Sequence, residues 1–461
     1  MAKRCISENQ RVWLVGQLDD WQLQGVLSAD QADRILDLYE TQAELSERKR
    51  STALLTLMGV AALLVGLGAL LLIGYNWNAM PDVLKLLLIF GMIVGTQGAG
   101  FVLRFNRHAT LLSEVVFFLG CLFYGAGIFL TAQIFHLNAH YPDGVWWWAV
   151  GVLPFALCLD TLLVHTLLVA LLAIWCGMEI IRFGEIGLWF FGRWGGIPNG
   201  AYSLPLLAFP GLMWAYRKGS VATVALYVPL LAWWIILQPI AWDMEEETVY
   251  FIGAVGGLML VIAESHSSGA PFAIPYRLFG VLLAAGVLLA MSFHEFNEEI
   301  QRSAFDARSG VLALVIVMLS MAIISVTAVF KRHQSPEKLS VVSQIGQIVR
   351  RQWLPIGLVL LMVMLQLWHL LIGEPILPTI VANIAMLFLA VWLVGVGLRE
   401  DRGQPFAAGV LYFLLWAVVR YVDLFGDFGG MLGAAVMFFL CGGALFGVAF
   451  YWRQRRRPQH D

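Results

Sequence analysis

The sequence predicts an all-α protein: a polytopic membrane helix bundle of about fourteen spans, preceded by a small cytoplasmic helical hairpin. Three observations carry this. The chain of 461 residues is 60% hydrophobic and only 13% charged. Long apolar runs, each near the ~20 residues that a bilayer crossing needs, alternate with short polar connections. Those connections alternate in sign. Basic ones hold Arg48, Lys49 and Arg50, then Arg104 and Arg107, Arg217 and Lys218, Arg277, Lys331, Arg332, Arg350 and Arg351, and Arg399 and Arg402. Acidic ones between them hold Asp82, Asp143, Glu245, Glu246 and Glu247, and Glu295, Glu298 and Glu299. Positive charge near span ends stays in the cytoplasm, so both termini are expected there.

Residues 1–48 read as a soluble hairpin. A first helix is expected from about Glu8 to Gln24, with Val12, Val15, Leu18, Trp21 and Leu23 as its apolar stripe. Gly25 stops it. Ser28 and Gln31 have the spacing of a capping box for a second helix. Ala32, Ile35, Leu36 and Tyr39 are its expected inner face, and this helix is a candidate to run on into the first span. Trp21 and Tyr39 are expected in the core of the pair. No cleavable signal peptide is read, because the first fifty residues lack an apolar centre.

Spans are expected to begin near Thr52, Pro81, Leu111, Gly144, Leu162, Tyr202, Val221, Thr248, Ile274, Gly310, Trp353, Ile376, Pro405 and Gly429. Only Asp160 separates the fourth from the fifth. The sixth is short and flanked by Pro198, Pro205 and Pro210. The membrane region divides at 331–352, read as an amphipathic cytoplasmic connection, into about ten spans over 49–330 and about four over 353–452. A basic tail, 453–461, closes the chain. Cys5, Cys121, Cys158, Cys176 and Cys441 sit in the N-terminal segment or in apolar runs, without metal spacing, and read as buried small side chains.

The candidate site is a polar cluster at the outer ends of spans: Asn76 and Asn78, Gln133 and His136, and Arg420 and Asp423, with Asp427 in the last outer loop. Charged groups at membrane depth are costly and face the bundle interior, or pair. Arg420 and Asp423, three apart, share a helix face. The cluster reads either as a polar pocket open to the outside or as an interfacial ion pair that fixes packing. Ala132–Leu137 and Val419–Leu424 occupy equivalent places, which suggests a parallel repeat of spans one to four in eleven to fourteen.

Other groups are weaker. His136 with His140, and His294 with Glu298, have i,i+4 spacing, yet no zinc-protease pattern surrounds them and no metal site is assigned. Gln97, Glu114, His165, Glu179, Gln238, Glu264, Gln366, His369 and Asn383 read as interhelical hydrogen-bonding groups or as parts of a relay. Trp146, Trp147, Trp148, Trp189, Trp194, Trp233, Trp234 and Trp242 fit an aromatic belt. No nucleotide-binding loop follows any glycine cluster, so the chain is not read as a primary ATP pump by itself. No nucleic-acid module, cofactor site or enzymatic site is read.

Several motifs resemble a bacterial membrane-protein family, domain-of-unknown-function family 2157. They are Trp21 to Ser28, Tyr75-Asn76-Trp77, Gly125 to Ile128 with Gln133 to Leu137, and Arg420 to Phe425. The resemblance is firmest over 10–175 and implies a multi-pass bacterial inner-membrane protein. It brings no activity with it. The expected function is transport or flipping of a small polar or amphipathic solute. The alternative is a membrane scaffold or envelope-stress regulator whose hairpin binds a protein partner. The bilayer is the partner common to both.

Overall fold

A computed structural model describes residues 8–44, 81–137, 140–159, 161–182, 199–242, 247–266, 270–302, 352–400 and 402–425, with scattered positions in 46–68, 244–245 and at 443. The side chains of 421–425 fall outside it. So do the expected tenth span, most of the first and fourteenth, and almost all of 331–352. Every described element is a helix. Two compact units divide within one helix, residues 1–171 and 172–461.

The first unit opens with α1 (Glu8–Leu23) and α2 (Ala29–Leu36). Gly25 adopts a left-handed φ of 70°, and the Val26 and Gly25 amides bond back to Trp21 and Gln22 carbonyls at 2.9 and 3.0 Å. This closure needs a residue without a Cβ penalty. The capping box of Ser28 and Gln31 is present in both directions. Two expectations change. Only Leu18 and Ala32 are fully buried, while Val12, Trp13, Trp21 and Leu23 are exposed. A partner helix of eight residues is too short to cover the stripe. Tyr39 lies beyond the end of α2, half-buried, and α2 does not run on into a span.

Three long helices follow: α3 (Asp82–Phe101, continued by a π turn to Asn106), α4 (Thr110–Ile134) and α5 (Tyr141–Leu159). They pack in sequence order, α3 on α4 and α4 on α5. Arg104 donates to the Leu159 carbonyl at 3.2 Å, placing a cation on the C-terminal end of α5, and lies 4.0 Å from Glu114. α5 and α6 (Leu162–Gly177) are separate helices, and Thr161 accepts from the Val164 amide at 3.3 Å at the start of α6.

The second unit holds α7 (Leu204–Lys218), α8 (Val221–Ala241), α9 (Thr248–Ser265), α10 (Ala273–Met291), α11 (His294–Arg302), α12 (Trp353–Leu371), α13 (Ile376–Arg399) and α14 (Gly403–Phe425). The core centres on α9, which packs on α8, α10 and α12, while α10 and α14 flank α13. Tyr250, Ala254, Leu260, Ala284, Leu288, Ala382 and Leu389 are fully buried there. Gly256 and Gly280 bring α9 and α10 into backbone contact: a Cβ on Gly256 would lie 2.7 Å from the Ala284 amide nitrogen. Small residues permit such approach where the surroundings are as apolar as the side chains.

Ten described helices are long and apolar enough to cross a membrane. They begin within three residues of ten of the expected starts. The expected sixth span is α7, with 15 residues and Pro210 inside it. At ~1.5 Å per residue it reaches only about 22 Å. A count of fourteen spans is therefore not fixed by the fold. Residues 294–302, expected in a loop, form the short helix α11.

Candidate functional site

The buried polar groups of the second unit gather at two opposite ends of the same helices. At one end Arg277, near the start of α10, donates through Nη2 to Glu264 Oε1 at 2.9 Å. It also holds Glu400, the C-cap of α13, with two bonds of 2.8 and 2.9 Å. The side chains of Arg277 and Glu400 are each 9% exposed, and that of Glu264 is 2% exposed. The planar guanidinium suits this two-pronged grip. Arg402 approaches Glu400 at 3.9 Å, so two cations face two carboxylates. The hydrogen bond from Arg277 is the main reason that the Glu400 carboxyl is held below its usual range.

Beside this triad the Tyr216 and Tyr276 hydroxyls bond at 2.9 Å, and His266 stacks on both rings. Gln352 donates to the Val261 carbonyl and the Ser265 hydroxyl at 3.3 and 3.2 Å. Tyr276 also closes an apolar cavity of about 270 Å³ walled by Phe209, Val228, Phe251, Val255 and Met259.

At the other end Arg420 of α14 is buried, donates to the Ser292 hydroxyl at 3.2 Å, and lies 5.0 Å over the Phe293 ring. Asn383 of α13 donates to the Ser292 carbonyl at 3.2 Å and accepts from Trp416 at 3.0 Å. Asn297 of α11 reaches Thr379 at 2.9 Å. From Arg277 to Ser292, α10 carries the chain about 22 Å between the two networks. Gln366 and His369 are buried on one face of α12, and His369 Nδ1 is bonded to the hydroxyl of Tyr250, which sits at the start of α9, about 21 Å along that helix from Glu264.

Of the expected site residues, Arg420 is thus placed in a network. Asp423 lies on α14, its side chain outside the described residues, so the expected pairing with Arg420 does too. Asn76, Asn78 and Asp427 lie outside the described residues as well. Gln133 and His136 belong to the first unit and Arg420 to the second. Both Gln133 and His136 are exposed, and neither lines a described cavity. His136 ends α4 in a left-handed conformation, φ 47°, with the Leu137 amide bonded to the Ala132 carbonyl at 2.9 Å and its own to Gln133 at 3.3 Å. This is the closure that Gly25 makes, here on a residue with a side chain. The turn also takes His136 off the helix, so His136 and His140 do not share a helical face. No cluster of three metal-ligating side chains occurs among the described residues. The proposed repeat loses one correspondence, since Ala132–Leu137 turns out of its helix whereas α14 continues through Leu424 to Phe425.

Sequence reading missed the triad. Arg277 reads as one basic loop residue and Glu264 as an isolated span residue, and the partner Glu400 is 123 positions from Arg277. The available signal was a carboxylate inside an apolar helix end, which demands a cation.

No curated protein and no solved structure matches the chain. The family model for domain-of-unknown-function family 2157, described as a predicted membrane protein, matches residues 19–165. With ten helices apt to cross a bilayer, the chain is a multi-pass membrane protein whose residues 19–165 carry the pattern of that family.

Proposed function

We propose that the chain is a carrier in a bacterial inner membrane, with both termini cytoplasmic, that moves a small polar or amphipathic solute through its second unit. The observation that carries this reading is the pair of buried polar networks at opposite ends of α10 and α13. Buried ionisable groups in a membrane bundle mark solute and ion paths, because burying them for packing alone is costly. The Arg277–Glu264–Glu400 triad acts as one closure and the Arg420–Ser292 contact as the other. The Tyr250–His369 pair stands at the far end of α9 from Glu264, and the apolar cavity beside Tyr276 suits the apolar part of an amphipathic solute.

Uptake into proteoliposomes tests the reading, with radiolabelled amino acids, sugars and quaternary amines offered in turn. Flux above protein-free vesicles, changed by Arg277→Gln, supports it. No flux for any class, with folded protein in sealed vesicles, removes it.

The exposed Val12, Trp13, Leu23 and Val26 of the hairpin favour a second reading, a scaffold that docks a protein partner there. Deleting 1–45 separates the two. A carrier keeps flux, and a scaffold keeps its fold but loses its partner.

A further inference from the structure

We propose that the cavity among α3, α4 and α5 in the first unit is a binding site for a small organic cation with an apolar body. The cavity measures about 520 Å³, within the ~300–1,000 Å³ of small-molecule sites. Tyr124 and Phe129 of α4 and Tyr141 and Trp147 of α5 stand on its wall. The polar side chains there include His140 and Asp143. Aromatic faces attract cations, quaternary ammonium above all, through their quadrupoles.

The carboxylate supplies the second argument. Asp143 Oδ1 is buried and has no hydrogen-bond partner among the described residues. An unmatched buried carboxylate oxygen is costly, and a ligand cation offsets that cost. His140 is the ionisable neighbour of Asp143, within electrostatic reach of it. With the imidazole neutral, that pair contributes one negative charge to the wall. An anion would be repelled, and a hydrocarbon tail would leave Oδ1 dry and unmatched. A bare metal ion would find too few ligands, since no three metal-ligating side chains cluster among the described residues.

The rings are held in place. A Cβ on Gly151 would come within 2.2 Å of the Tyr124 ring, and one on Gly144 within 2.9 Å of the Phe129 ring, so both glycines seat an aromatic side chain. Phe129 and Tyr141 pack with centroids 5.5 Å apart, and the Tyr124 hydroxyl reaches the Trp147 carbonyl at 3.5 Å. A pre-formed cage loses little side-chain entropy on binding. The site stands whether or not the chain moves a solute.

The test is calorimetric titration of the purified full chain at about pH 8, where an ordinary imidazole is neutral. The probes are choline and 3,3-dimethyl-1-butanol, its uncharged isostere. Choline is expected to bind several-fold more tightly than the alcohol, the scale of a solvent-accessible cation–π contact. Asp143→Asn should remove that preference, and Trp147→Leu should weaken choline several-fold. Equal binding of the two probes overturns the proposal, as does an Asp143→Asn chain that binds choline like the parent. Should Asp143→Asn fail to fold, Trp147→Leu decides, because Trp147 is 54% exposed and its loss spares the core. Unchanged choline affinity in that variant overturns the proposal.

Discussion

Arg277 holds Glu400 with two hydrogen bonds of 2.8 and 2.9 Å, joining the start of one apolar helix to the end of another 123 positions away. Removing one member of a buried ion pair strands the other, at a cost of ~3–5 kcal/mol. Arg277→Gln should therefore lower the melting temperature sharply. Arg277→Gln with Glu400→Gln should cost clearly less than the sum of the two single changes. Thermal unfolding of the four proteins in one detergent measures this, and strict additivity would refute the triad.

The same pair sets an acid limit. Glu400 titrates below the usual carboxylate range in the folded chain, chiefly because Arg277 donates to it. A depressed folded pKa gives stability that is present above the unfolded value, ~4.3, and is lost as pH falls through the folded value. The melting temperature should drop on acidification below about pH 4. Glu400→Gln should be less stable at neutral pH and should show a shallower drop. Parallel profiles for parent and variant would exclude Glu400 as a source.

His136 is exposed and left-handed, a conformation that costs a side-chain-bearing residue of order 1–3 kcal/mol. His136→Gly should raise stability by up to ~1 kcal/mol, and His136→Val should lower it. A fall in melting temperature for His136→Gly would mean that the imidazole makes a contact worth more than the strain. Loss of solute flux in a stabilised His136→Gly chain would mark the imidazole as functional.

The charge alternation makes a labelling prediction. Cysteines placed singly at Asn138, Glu245 and Glu295 should react with an impermeant maleimide in intact cells, and one at Ser335 should not. Reaction at Ser335 with sealed membranes inverts the assignment.

Hydropathy and capping chemistry made much of the architecture legible. Helix starts at Asp82, Leu162, Val221, Thr248, Trp353 and Ile376 lie at or one residue from the expected positions. Gly25 and Ser28 act as their residue types dictate, because these signals are local. Burial is not local. Trp21 lies in the apolar stripe yet is exposed, since what covers a helix face depends on how long its neighbour is. Of the site, sequence singled out Arg420 as a charge at membrane depth. It had no means of pairing Arg277 with Glu400, or of seeing that Asp143 lines an aromatic cavity, because both depend on which helices become neighbours.

The long loop that the triad closes has a consequence for synthesis. Glu264 and Arg277 lie on successive helices and meet as soon as α9 and α10 have emerged. At ~5–20 residues per second, Glu400 arrives roughly 6–25 s later. Through that interval the early pair is electrically neutral and tolerable near lipid, and the Arg277 surface left open awaits its second carboxylate. Glu400 in turn emerges beside Arg399 and Arg402, so neither half enters the bilayer boundary as a bare charge. The order of the residues along the chain thus lets a two-carboxylate, two-guanidinium cluster assemble in stages, with each stage charge-balanced as it leaves the ribosome.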